Sequence, residues 1–246
     1  MITKLNKREI EKFSRQIVLK NIGALGQRKI GEAKVLIIGM GGLGCPAAEF
    51  LTRSGIGTLG IVDYDKVSLS NIHRQTLYTE KDINESKVRN AKKKLNEISP
   101  STKINIFDFK LNEIKFNKII KNYDYIVDGT DNFESKFLIN DISLNYKKFL
   151  VVGAISKFDG HIFSFDFKNK NNPSLRDFYQ EEFVTDDILN CEYDGILGTV
   201  AGIVGTMQAN EILRKILNIG QNLNGFILII DLLNLNIRKV KLKKRV

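Results

Sequence analysis

Lys34 to Asp65 reads KVLIIGMGGLGCPAAEFLTRSGIGTLGIVDYD. Val35 to Ile38 is a short, β-branched apolar run, the pattern of a strand buried on both faces. Gly39, Gly41 and Gly44 follow at the spacing G-x-G-x-x-G. From Leu43 to Ser54 the residues Leu43, Ala47, Phe50 and Leu51 share one face at helical spacing, and Thr58 to Val62 is a second buried strand. The stretch is therefore one βαβ unit. A strand that turns straight into a helix needs unusual dihedrals and a bare backbone, which glycine supplies. The helix it opens offers free N–H groups and a positive dipole end, suited to a phosphate. Asp63 ends the second strand about twenty residues after the glycines, where a carboxylate can take ribose hydroxyls. A turn used only for helix packing would not need Asp63.

On the amino side, residues 1–32 read as an amphipathic helical segment with Ile10, Phe13, Ile17 and Val18 on one side. On the carboxyl side, KVSLSNIHRQTLY from Lys66 to Tyr78 has no helical or strand period and is rich in side-chain donors. Helices are expected at Lys87–Ile98, Glu113–Lys121 and up to about Tyr146, and strands at Lys103–Phe109, Tyr123–Val127 and Phe149–Ala154. This alternation predicts an α/β fold, a Rossmann-like and mostly parallel sheet with helices on both faces. His161 to Phe167 alternates as an added antiparallel strand. Residues 168–197 carry no clear period and form a mobile crossover loop. A helix at Gly198–Leu217 and strands at Gly225–Asp231 and Leu235–Leu242 add antiparallel structure near the C-terminus.

With 246 residues, three prolines and no repeat or linker, one domain over 1–246 is expected. The net charge of +10 comes from lysines scattered along the chain, so it does not by itself mark a nucleic-acid face. The terminal run Lys239, Lys241, Lys243, Lys244 and Arg245 alternates with apolar residues, as the solvated face of a last strand would. Two distant cysteines, no leader pattern and no apolar run of spanning length point to a cytoplasmic protein with no membrane partner. Cys45, in the first turn of the glycine helix, reads as a packing residue, although a helix N-terminus can also lower a thiol pKa.

Ligands fit at the carboxyl ends of parallel strands. Gly39, Gly41, Gly42, Asp63, Asp65, Ser70, Asn71, Arg74, Lys87, Asp131 and Asn132 are expected to meet there. Cations and carboxylates around a glycine turn suit a triphosphate with its magnesium better than a dinucleotide.

GMGGLG, then D-x-D, SLSNIHRQ, Lys87 and DGTDN, in that order, resemble the ThiF/MoeB/HesA adenylyltransferases, relatives of the ubiquitin-activating enzymes. The likeness runs from Ser14-Arg15-Gln16 to GILGTVAGIVGTMQANEILRKIL. It implies ATP and Mg2+ as cofactors, Gly42 against the phosphates, Asp63 on the ribose, Asn71, Arg74 and Lys87 on the triphosphate, and Asp131 on magnesium. It also implies a homodimer in which Arg15 enters the neighbouring site. The implied substrate is a ubiquitin-like sulfur carrier ending in Gly-Gly, for thiamine or molybdopterin synthesis, whose carboxylate attacks the α-phosphorus. Cys191 lies where sulfur-transfer members carry a reactive cysteine.

The chain departs from the family in one respect. Many members carry two C-x-x-C pairs that bind a structural zinc, but here those regions read NNPSLRDFYQ and NLNIRKVKLKKRV. No structural zinc is expected, and the 168–197 loop should be mobile or held by the dimer or the carrier. Three other readings stay open. Activation of a carboxylate on a modified tRNA base suits the charge but not its scatter. A nicotinamide-dependent dehydrogenase lacks a separate substrate domain, and a non-catalytic nucleotide-binding scaffold fits the lost zinc pairs.

Overall fold

The computed structural model describes residues 5–169, 171–179 and 195–244. Its strands are β1 (Lys34–Ile38), β2 (Thr58–Asp63), β3 (Lys103–Asp108), β4 (Tyr125–Asp128), β5 (Phe149–Ser156), β6 (Asp159–Asp166), β7 (Phe226–Asp231) and β8 (Asn236–Lys241). They form one sheet in the order β3-β2-β1-β4-β5-β6-β7-β8. Pairing is parallel from β3 to β5 and antiparallel from β5 to β8, as the sequence pattern predicts.

Period-two alternation in β1 divides the core. Val35 and Ile37 join one apolar layer, and Leu36 and Ile38 the other. The first layer is completed by α4 (Gly44–Arg53), α5 (Lys87–Ile98) and α9 (Gly198–Leu217) through Ala47, Leu51, Val88, Leu95, Val204 and Ile212. On the opposite face α6 (Glu113–Ile119) and α7 (Phe133–Asn145) bring Phe116, Phe137, Ile139 and Ile142. Each such side chain removed from water is worth about 1.5–3 kcal/mol, which is why β1 at the centre is apolar on both faces. α9 holds the bounds read from sequence, and no described helix is long and apolar enough to cross a membrane.

Four local expectations are corrected. The amino segment is three short helices, α1 (Lys7–Lys12), α2 (Ser14–Ile17) and α3 (Gly23–Glu32), and the chain leaves helical geometry at Phe13. Of its expected apolar side only Phe13 is buried, and Val18 is 71% exposed along with Ile10. A helix of six residues followed by one of four covers too little sheet to bury a full stripe. Phe50 of α4 is likewise exposed while Leu43, Ala47 and Leu51 are buried, because the face that meets the sheet is narrower than the apolar stripe.

The third correction concerns residues 171–179, which are not aperiodic. They carry α8 (Leu175–Phe178), whose Leu175 is buried. This stretch is held by its own chain: Asn140 Oδ1 accepts from the Leu175 amide at 3.0 Å, and Arg176 pairs with Asp141 at 2.6 Å. Phe133, Phe163, Phe178 and Tyr179 stack edge to face over it. The centre of the expected loop, 180–194, lies outside the described residues. Fourth, β8 is an edge strand exposed on both faces, so Ile237 and Val240 meet solvent as its basic residues do.

Candidate functional site

β1 pairs with β2 on one side and β4 on the other, so the chain leaves β1 at the point where strand order reverses. Such a switch point opens a crevice at the carboxyl ends of the strands. Register brings Ile38 beside Val62 and Asp128, which makes Gly39, Asp63 and Gly129 neighbours.

Two glycines of the turn are dictated by space. Gly39 has φ +88°, and a Cβ there would stand 2.7 Å from the Gly129 carbonyl oxygen. At Gly44 a Cβ would overlap the carbonyl of Gly39 itself. Gly41 is different, since it is partly open, has no positive φ and leaves a Cβ 3.6 Å from Gln75 Nε2; Gly42 is also partly open, but a Cβ there would stand 3.0 Å from that of Ala201. No side chain caps α4; Cys45 and Ala47 donate to the carbonyls of Gly41 and Leu43 and Pro46 has no N–H, so the amides that can meet an anion are those of the turn itself, Gly41 to Gly44.

Around this turn the side chains form a charged rim. Asp63 anchors it: its Oδ2 accepts from the Met40 amide at 2.6 Å and its Oδ1 from the Asp65 amide at 2.9 Å. Burial pushes the Asp63 carboxyl up, opposed by Lys87 and by those two amides. Asp65 pairs with Lys87 at 3.0 Å, and that lysine opens α5 from a buried position. Beneath them the Tyr78 hydroxyl, pushed well up by burial, donates to the carbonyl of Met40 at 3.0 Å.

The 68–75 loop closes one side. Asn71 Oδ1 accepts from the Ser68 amide at 3.3 Å, and the Ser70 carbonyl accepts from Arg74 Nη1 at 2.7 Å. His73 is exposed but not idle, because its Nε2 lies 2.9 Å from the same Arg74 nitrogen. The aliphatic stem of Arg74 runs beside Gly42, where an added Cβ would be 3.5 Å from Cγ. Opposite, Asn132 Oδ1 caps α7 by accepting from the Ser135 amide, and its Nδ2 donates to Asp131 at 3.2 Å. Asp131 is exposed. The Tyr64 hydroxyl is pushed up by Asp65, then by burial, then by Asp131 and Asp63, so these carboxylates share one neighbourhood.

The eleven residues expected at the strand ends thus lie on the segments that border this crevice. Arg15 does not. It is exposed on α2, which docks at the amino ends of the strands through Gln16 Nε2 and the Ser54 carbonyl at 3.2 Å, and it has no hydrogen bond or ion pair among the described residues. Cys191 lies outside the described residues. Cys45 is a packing residue, and the possibility of a lowered pKa is corrected: burial pushes its thiol up to about 12. Sequence reasoning missed Lys136, Gln208 and Tyr78, which support the rim from below. A lysine in the first turn of a helix carries no pattern that separates it from a solvated one.

The site's chemistry is electrostatic. Three carboxylates and two cations face a glycine backbone with free amides, which is a set for an anionic ligand and a hard cation. Among the described residues no three His, Cys, Asp or Glu side chains cluster to hold a metal unaided.

The family model described as ThiF family matches residues 13–246. A probable molybdopterin-synthase adenylyltransferase of Gracilaria tenuistipitata var. liui is 38% identical over 238 residues, covering 97% of this chain and 66% of that protein. The adenylyltransferase and sulfurtransferase MOCS3 of Culex quinquefasciatus is 37% identical over 242 residues, covering 98% of this chain and 55% of that protein. The chain therefore spans between about half and two thirds of the length of these relatives. Among solved structures, E. coli MccB with ATP superposes at a TM-score of 0.81 and 18% identity over 95% of this chain and 72% of that one. PaaA does so at 0.81 and 22% identity, over 100% and 77%. At such identities the likeness speaks for the fold alone.

Proposed function

This chain belongs to the ThiF family, and on that premise we propose that residues 1–246 act as one ATP-dependent adenylation domain. Its substrate is the C-terminal Gly-Gly carboxylate of a ubiquitin-like sulfur carrier. The observation that carries the reading is the pairing of an uncapped glycine-turn helix with Arg74 laid along Gly42 and the Lys87–Asp65 pair beside it. The curated relatives' names favour molybdopterin over thiamine synthesis as the pathway of the carrier.

In this reading the glycine-turn amides take phosphate oxygens and Asp63 takes the ribose hydroxyls. Ser70, Asn71, Arg74 and Lys87 line the triphosphate. A carboxylate of the carrier is ionised near pH 7 and needs no general base. Its oxygen attacks the α-phosphorus, the bond from that phosphorus to the β-phosphate bridging oxygen breaks, and pyrophosphate leaves with the electron pair. Two anions are brought together, so the rate comes from positioning and from cations in a water-poor crevice.

Magnesium fits the residues present. Asp131 accepts only from Asn132 among the described residues, and one or two carboxylates with phosphate oxygens are its ordinary donor set. When bound it supplies further positive charge beside the phosphates. Arg15 stands at the wrong end of its own sheet for this crevice, so it serves the site of a second copy in a homodimer. Cys191 is a candidate acceptor of the activated acyl group or sulfur.

The test is ATP–pyrophosphate exchange with magnesium, using carriers that end in Gly-Gly and the same carriers without that tail. Exchange that needs the intact tail and disappears in Asp131→Ala supports the reading. No exchange with any carrier, despite ATP binding, sinks the carrier and favours activation of a carboxylate on a modified tRNA base or a nucleotide-binding scaffold.

A further inference from the structure

The turn that carries Asp131 rests on a buried ion pair, and we propose that Lys136 is a positioning residue that sets where this turn stands against the bound ATP and its magnesium. The inference deepens the nucleotide reading above and depends on it. Asp128, the last residue of β4, is 0% exposed, and Lys136, in the first turns of α7, is 5% exposed. Lys136 Nζ lies 3.3 Å from Asp128 Oδ2 and donates to the Gly153 carbonyl of β5 at 2.7 Å. The other carboxylate oxygen of Asp128 accepts twice from Thr130, from the amide at 2.9 Å and from the hydroxyl at 2.6 Å. From the far side Gln208 of α9 donates Nε2 to the Asp128 carbonyl at 2.8 Å. Gly153 must lack a side chain here, since a Cβ would come within 2.8 Å of the Gln208 carboxamide.

Four elements thus converge under three residues of turn. A buried ion pair is a poor device for stability, because desolvation of both charges consumes most of their attraction and an apolar pair packs as well. What an apolar pair cannot do is orient the carboxylate that closes the turn on Thr130. The turn is also blocked on its open side, where the Gly39 backbone packs on Gly129 with no room for a Cβ. It cannot approach the glycine turn without collision, nor recede without breaking the ion pair. Asp131, the metal-binding carboxylate of the proposed reaction, is carried at a height the pair determines. Groups that orient a metal-binding side chain are worth about 10- to 100-fold in metal affinity.

The experiment compares the full chain with the double variant Asp128→Asn, Lys136→Met, which removes both charges so that neither is left buried alone. ATP affinity is measured by titration in EDTA and again with magnesium, and folding is checked by thermal melting. The expected result is an unchanged affinity in EDTA, since the glycine turn and Asp63 are untouched, and a gain on adding magnesium that falls by about 10- to 100-fold. Thr130→Val replaces one hydroxyl by a methyl at a half-buried position and is expected to move the magnesium gain the same way by less. It decides the matter if the double variant does not fold. A folded variant with the wild-type magnesium gain overturns the proposal, and so does an equal loss with and without magnesium, which marks a merely structural pair. A wild-type chain that binds no ATP under either condition overturns the nucleotide reading itself.

Discussion

The glycines of the turn separate folding from binding, and a pair of alanine substitutions tests that separation. In Gly44→Ala the new Cβ overlaps the carbonyl oxygen of Gly39, an atom of backbone that is itself locked by φ +88° and by Gly129 behind it. Neither side can yield as a flexible side chain would. The start of α4 must move by roughly 1.5–2 Å to restore contact near the van der Waals optimum. Overpacking of this kind costs about 1–3 kcal/mol, which for a chain of this size lowers the melting temperature by roughly 2–12 °C. A shift of about 1 Å in the amides that face the ligand costs on the order of 10²-fold in function as well. In Gly41→Ala the nearest atom is Gln75 Nε2 at 3.6 Å, an ordinary contact, and φ is not positive. That variant is expected to melt with the wild type and yet bind ATP more weakly, because the methyl stands where a phosphate would approach. Thermal melting and ATP titration on both variants are the assays. A Gly44→Ala protein with wild-type melting, or a Gly41→Ala protein with wild-type ATP affinity, would refute this division of labour between the two glycines.

Two further outcomes are expected. Arg74→Ala, and separately Lys87→Ala, should lower ATP–pyrophosphate exchange on the order of 10²- to 10³-fold, as loss of one donor to a developing charge does; a loss of less than about tenfold would remove that residue from the charge-neutralising set. Cys45 tests burial: in a Cys191→Ser background the native chain should not react with a thiol reagent at pH 8, whereas the denatured chain should label once. Its folded value of about 12 lies above the ordinary 9.0, so the stability it contributes is intact below pH 9 and is lost as pH rises toward 12. Rapid native labelling would show that the α4 start is open.

The sequence by itself determined the βαβ unit around β1, the helix α9 to its last residue, and the segments that border the crevice. These are legible because they rest on local necessities: a two-sided apolar strand, a glycine turn with a fixed spacing, an acid at the end of the next strand. The tertiary structure alone decided that Phe50 and Val18 face solvent and that residues 171–179 are tied to α7 through Asn140 and Asp141. It also decided that burial, not the start of α4, governs the Cys45 thiol, whose pKa is pushed up and not lowered. Apolar periodicity states which residues could be buried, not how much partner surface exists to bury them. The Asp128–Lys136 pair was invisible for the same reason. A charge beside a charge is stabilised or wasted according to the solvent that remains around it, and only the meeting of β4, β5, α7 and α9 removes that solvent.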